Sequence, residues 1–186
     1  MIKLLHLSDL HIGKIVNEIN MLSDQKYILN EILDIIKKEK PNGVLIAGDV
    51  YDKSVPSAEA VELYDNFITR LAELDTAVYI ISGNHDSPER LGFCSRLIRS
   101  GNIFVDAVFN GKANKHTLCV NSKNVNIYTL PFIKPANVKA FYGGEINDYT
   151  QAVKTVLENT EIDKNAVNIL VAHQFVTGTG TAVRAD

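Results

Sequence analysis

Cysteine is nearly absent from the sequence: Cys94 and Cys119 are the only two, far apart and outside any CxxC pair. Two such thiols are too few to staple a chain of 186 residues, and both are read as reduced side chains packed as small hydrophobes. Long apolar runs are missing as well. Stretches such as 44–47 and 169–172 fall far short of the roughly 20 residues that a membrane helix needs. The first residues lack the apolar stretch and small-residue cleavage site of a signal peptide, and polar Ser8 and Asp9 follow at once, so a cytoplasmic location is expected. A basic excess is the third absence. With a formal net charge of -3 there is no broad attraction for a polyanion, which would have to be held locally by metal or by a partner.

What is present is the composition of a globular chain, 46% hydrophobic and 22% charged, which argues against disorder and for one domain with a substantial core. Short β-branched runs at 2–7, 44–47, 78–81, 125–130 and 167–172 alternate with longer segments of helical period. That alternation predicts α/β layering over a largely parallel sheet. A helix is expected over 24–38, where Ile28, Leu29, Ile32, Leu33, Ile35 and Ile36 recur at helical spacing. A second begins at the N-cap Ser57 with Val61, Tyr64, Ile68 and Leu71 on one stripe. That stripe is read as packing on the sheet. A third starts at Ser87-Pro88-Glu89, and a fourth covers 148–159. Gly143-Gly144 and the tail after Val176 read as loops; the glycines of that tail lack the GK[ST] ending of a phosphate loop.

Four short polar motifs each begin at the carboxyl end of an expected strand. They are Asp9-Leu10-His11, Gly48-Asp49-Val50-Tyr51-Asp52, Gly83-Asn84-His85-Asp86 and Ala172-His173-Gln174. Singly, each has an ordinary reading: a turn cap, an Asx-turn, a glycine turn, a buried histidine. Together they face the crevice where ligand sites form in open α/β sheets. Carboxylate, imidazole and amide without thiolate suit manganese, iron(II), zinc or a similar divalent ion. On an extended segment the Asp-x-His spacing would aim Asp9 and His11 at one ion.

In this order and at these intervals the motifs resemble the calcineurin-like metallophosphoesterase superfamily. The flanking runs LLHLSDLHIGK, SGNHDSPERLGFCSRLIRSGNI and AHQFVTG are similar to its SbcD-type nuclease subunits, a double-strand-break repair branch. The resemblance implies a layered α/β fold with central β-sheets flanked by helices. It also implies two divalent metal ions, manganese foremost with iron, zinc or magnesium as alternatives. Asp9 and His11 would bind the first ion, Asn84 and His173 the second, and Asp49 would bridge them. His85 would be the catalytic histidine, protonating the leaving oxygen or stabilising charge on the phosphate. The implied activity is hydrolysis of DNA phosphodiesters in repair and recombination, at ends or internally. The implied partners are DNA and an SbcC-type ATPase, with a homodimer inside a heterotetramer.

The superfamily completes its site with a later GHxH-type motif, and the 186 residues end before one. Residues 1–186 are therefore expected to be the N-terminal part of a metallophosphoesterase domain, lacking the final strands and last ligands, weak in metal binding and weak or inactive in hydrolysis. Neither remaining histidine replaces those ligands: His6 is read as structural within the first strand, and His116 as solvated in a lysine-bearing loop. Lys14, Lys53 and Arg90 flank the motif loops and could touch phosphates, although lone surface cations are usually only solvated. Two other functions compete: a phosphodiesterase acting on a small molecule or protein, and a non-catalytic scaffold with the same fold.

Overall fold

The apolar runs at 44–47 and 78–81 become the centre of a parallel sheet because every side chain in them is buried on one face or the other. In the computed structural model, which describes residues 2–93, 95 and 102–176, this sheet consists of β1 (Leu4–Leu7), β4 (Gly43–Ala47), β5 (Ala77–Ile81) and β6 (Ile103–Asp106), parallel and in the order β1-β4-β5-β6. A second sheet pairs β7 (Asn114–Val120) antiparallel with β8 (Lys123–Leu130), and β8 parallel with β9 (Val167–Ala172). A two-stranded hairpin, β2 (Ile15–Val16) and β3 (Ile19–Asn20), stands apart.

The two-residue period of the strands sorts their side chains into layers. Val44, Ile46, Val78 and Ile80 face α1 (Leu22–Glu39) and α2 (Ala58–Ala72), packing with Leu29, Leu33, Ile36, Phe67 and Leu71. Their neighbours Leu45, Ala47, Tyr79 and Ile81 face the other way, onto Val125, Ile127 and Val171 of the second sheet. That sheet turns Tyr128 and Leu130 outward to Val138 on α4 (Pro135–Tyr142) and to Ala152 and Val156 on α5 (Tyr149–Glu158). The result is the expected layered fold: helices, sheet, sheet, helices.

The expected helix starts hold. Ser57 Oγ accepts from Ala60 N, Asp148 Oδ1 accepts from Gln151 N, and Pro88 opens the short α3 (Pro88–Leu91) behind its cap Ser87. The stripe expected on α2 is displaced: Val61 is exposed, while Ala60 and Phe67 join Ile68 and Leu71 in the core. Positions 60, 64, 67, 68 and 71 follow the helical period better than a stripe that starts at 61. On α1, Ile28 and Ile35 face solvent.

Other expectations change more. His116 is not solvated: it lies in β7, 7% exposed, with Nε2 2.5 Å from Asp106 Oδ2 and its ring against Phe104 and Tyr79. Thr129 donates to the same carboxylate oxygen at 2.6 Å, so Asp106 joins the two sheets. β7 gives little sequence signal because the fully buried position within it is this histidine, which leaves no apolar alternation to read. His6 lies in β1 as expected but is exposed rather than packed, and Cys119 is an exposed thiol, not a core residue. Cys94 lies outside the described residues.

Candidate metal centre

Strands β1, β4 and β5 are parallel, so their carboxyl ends deliver three motif loops to one edge of the sheet, and β9 brings His173 to the same edge from the second sheet. The first loop is not extended, contrary to what the Asp-x-His spacing suggests. Asp9 and His11 take left-handed backbone conformations, φ 55° and 43°, as does Asp49 at φ 49°. Side chains with a Cβ rarely adopt this region, and such strain gathers at functional sites. Asp9 and His11 still converge, because the loop is hydrogen-bonded along its neighbour: Asp9 N donates to Gly48 O, His11 N to Asp49 O and Ile12 N to Val50 O.

Asp49, 3% exposed, is the hub. Its Oδ1 accepts from the backbone N–H of His85 at 2.9 Å. Its Oδ2 lies 3.7 Å from His11 Nε2 and 3.5 Å from His173 Nε2. Each histidine is steered from behind by its other nitrogen. His173 Nδ1 donates to Ala47 O at 2.6 Å, and His85 Nδ1 to Asp52 O at 2.9 Å, since a carbonyl can only accept. His11 Nδ1 stands 3.5 Å from Asp52 Oδ1. Oxygen partners behind an imidazole orient metal ligands, and they leave the Nε2 atoms of His11 and His173 turned toward Asp49.

Two sets of donor atoms arise, each with all members within 4.8 Å of one another: Asp9, Asp49 and His173, and His11, Asp49 and His85. Asp49 belongs to both. Asn84 is exposed and lines the same cleft, of about 470 Å³. All six residues singled out in the sequence are thus brought to one place. Among the described residues, no lysine or arginine lines the cleft; Lys14, Lys53 and Arg90 are exposed outside it. Two carboxylates held this close among imidazoles, without a cationic side chain, make a donor set that fits a hard or borderline divalent cation.

Two residues of the site carry more than the sequence motifs suggest. Asp86 closes its motif, where sequence reasoning assigns it no role. It is buried, and it accepts from Val50 N, Tyr51 N and Gly83 N at 3.1, 2.9 and 2.8 Å, which ties the second motif loop to the third. Burial pushes its carboxyl up, against the pull of those three bonds, and the nearby charge of Asp49 adds to the rise. Asp52 serves His85 through its carbonyl and His11 through its carboxylate. The signal available for both is a carboxylate inside a motif already noted.

This fold and this edge of converging carboxylates and imidazoles define a phosphoesterase of the metal-dependent kind, and the chain belongs to the calcineurin-like phosphoesterase family, whose model matches residues 2–183. It is similar to the SbcD subunit of the SbcCD nuclease of Staphylococcus epidermidis (strain ATCC 12228 / FDA PCI 1200), with 36% identity over 184 residues. The match covers 97% of this chain and 48% of that relative, so the chain spans about half the relative's length.

Proposed function

We propose that the chain carries the metal centre of a DNA nuclease that hydrolyses phosphodiester bonds with two divalent ions, manganese foremost. The observation that carries this reading is the pair of donor sets sharing Asp49. Asp9, His11, Asp49, Asn84 and His173 would hold the ions, Asp49 serving both. The close sets join Asp9 with His173 and His11 with His85, so the shared role of Asp49 is the part of the assignment that the geometry supports most directly. When bound, two such ions supply Lewis acidity that neutralises phosphate charge and lowers the pKa of water.

The protein's own side chains do the rest. Asp52 fixes the ring of His85 by accepting from Nδ1, which leaves Nε2 to exchange a proton with a leaving oxygen or to face phosphate charge. Asp86 holds the Asp49 and His85 loops in register through three backbone N–H groups. DNA as substrate, a role in repair and recombination, an SbcC-type ATPase partner, a homodimer within a heterotetramer and a cytoplasmic place of work are supported by the likeness to an SbcD nuclease subunit.

The test is an end-labelled DNA assay, single- and double-stranded, run with Mn2+ beside cyclic nucleotides and nitrophenyl esters. Metal equivalents are counted in the same samples. Mn2+-dependent cleavage of DNA, lost in Asp49→Asn together with both bound ions, is the expected result. Preference for a cyclic nucleotide would move the function to the small-molecule phosphodiesterases. Absence of metal binding would leave only a scaffold.

A further inference from the structure

Gln25 lies outside every motif, near the start of α1, yet its side chain makes three hydrogen bonds to the loop that carries Asp9 and His11. Nε2 donates to His11 O at 2.7 Å and to Leu10 O at 3.2 Å, while Oε1 accepts from Gly13 N at 2.9 Å. Both ends of the amide are therefore spent on one stretch of backbone. That stretch is where His11 sits in the left-handed region, a conformation that a residue with a Cβ holds only when its surroundings impose it. The far side of the loop is equally confined, since a Cβ on Gly13 would meet the Ala60 methyl on α2 at 3.0 Å.

We propose that Gln25 is a positioning residue for the metal centre: it holds the Leu10–Gly13 backbone so that His11 Nε2 stays turned toward Asp49. This rests on the metal-centre reading above. The helix supplies the rigidity and the amide transmits it. Nε2 satisfies two carbonyls that turn away from any ladder, and Oε1 satisfies the N–H that closes the turn. An aliphatic side chain of the same length would fill the space and leave all three groups unpaired, freeing the loop to relax toward ordinary dihedral angles.

The test compares Mn2+ affinity, followed by the EPR signal of free Mn2+, in the wild-type chain, in Gln25→Met and in Val156→Ala. The last removes core packing in the distant α5 layer, where Val156 is fully buried. Outer partners of metal ligands typically change affinity on the order of 10–100-fold, so Gln25→Met is expected to weaken Mn2+ binding by about tenfold or more. Val156→Ala is expected to lower the melting temperature and leave the affinity alone, which separates positioning from general stability. Equal affinity in Gln25→Met and wild type overturns the proposal while the metal-centre reading stands. A wild type that binds no Mn2+ brings both down. Should Gln25→Met fail to fold, the Gln25 side-chain NH2 resonances of the unaltered protein decide: a shift on adding Zn2+ supports the proposal, and indifference to Zn2+ overturns it.

Discussion

Gly83 and Asp49 meet where no side chain fits: a Cβ on Gly83 would lie 2.0 Å from Asp49 Oδ1 and 2.3 Å from its amide nitrogen. The glycine is required by close approach. Gly83→Ala is expected to push the shared carboxylate out of both donor sets and to lower Mn2+ affinity by about tenfold or more. Gly144→Ala is the control. Gly144 has φ 73° with open space around it, so alanine there strains the backbone by roughly 1–2 kcal/mol without touching the cleft. Titration of Mn2+ into both variants checks the contrast; a Gly83→Ala protein that binds like wild type would refute it.

Two buried phenols set an alkaline limit to the fold. Burial pushes the Tyr79 hydroxyl up, and Tyr51 is pushed up by burial first and then by the charges of Asp86 and Asp65. A phenol whose folded pKa is raised releases its proton more easily once unfolded. Its contribution to stability is therefore complete below the unfolded value, near 10, and is lost as pH rises above it. Each such group is expected to cost about 1.4 kcal/mol per pH unit there. Melting temperatures from pH 8 to 11 should fall steeply above 10, and less steeply in Tyr79→Phe. Parallel curves for the two proteins would remove Tyr79 from the account.

The displaced stripe on α2 gives a plain stability test. Phe67 is 1% exposed between α2 and the sheet, whereas Val61 is 45% exposed. Phe67→Ala is expected to cost about 3–5 kcal/mol, cavity included, and Val61→Ser to stay within about 0.5 kcal/mol. Urea unfolding of both variants measures the difference. Similar losses would mean that the stripe faces the core at 61 after all.

The site was legible because its chemistry sits in short motifs at strand ends, and parallel strands oblige those ends to meet. Asp9, His11, Asp49, Asn84, His85 and His173 could be gathered without knowing a single dihedral angle. The conformation that gathers them could not be read. Asp9, His11 and Asp49 are left-handed, whereas spacing alone suggests an extended loop. Gln25, Asp52 and Asp86 were silent for a different reason: their partners are backbone groups far along the chain, which leave no pattern in the residues themselves. In the fold, strands with apolar alternation were visible. β7 was not, because its buried place is filled by His116 paired with Asp106.

His85 offers the sharpest test of mechanism, because its two proposed roles separate by leaving group. With Nδ1 donating to Asp52 O, the ring has one nitrogen left for the substrate. If it protonates the departing oxygen, its loss matters most where the leaving group is a poor one, such as the alkoxide of a sugar. It matters least where nitrophenolate departs unaided. His85→Ala is then expected to slow DNA cleavage by about 10²–10⁴-fold and hydrolysis of bis(p-nitrophenyl) phosphate far less, with bound Mn2+ nearly unchanged. Should the ring instead stabilise charge on the phosphate, both substrates slow together. Rates with Mn2+ on the two substrates distinguish these outcomes, and a variant as fast as wild type on both would take His85 out of the chemistry altogether.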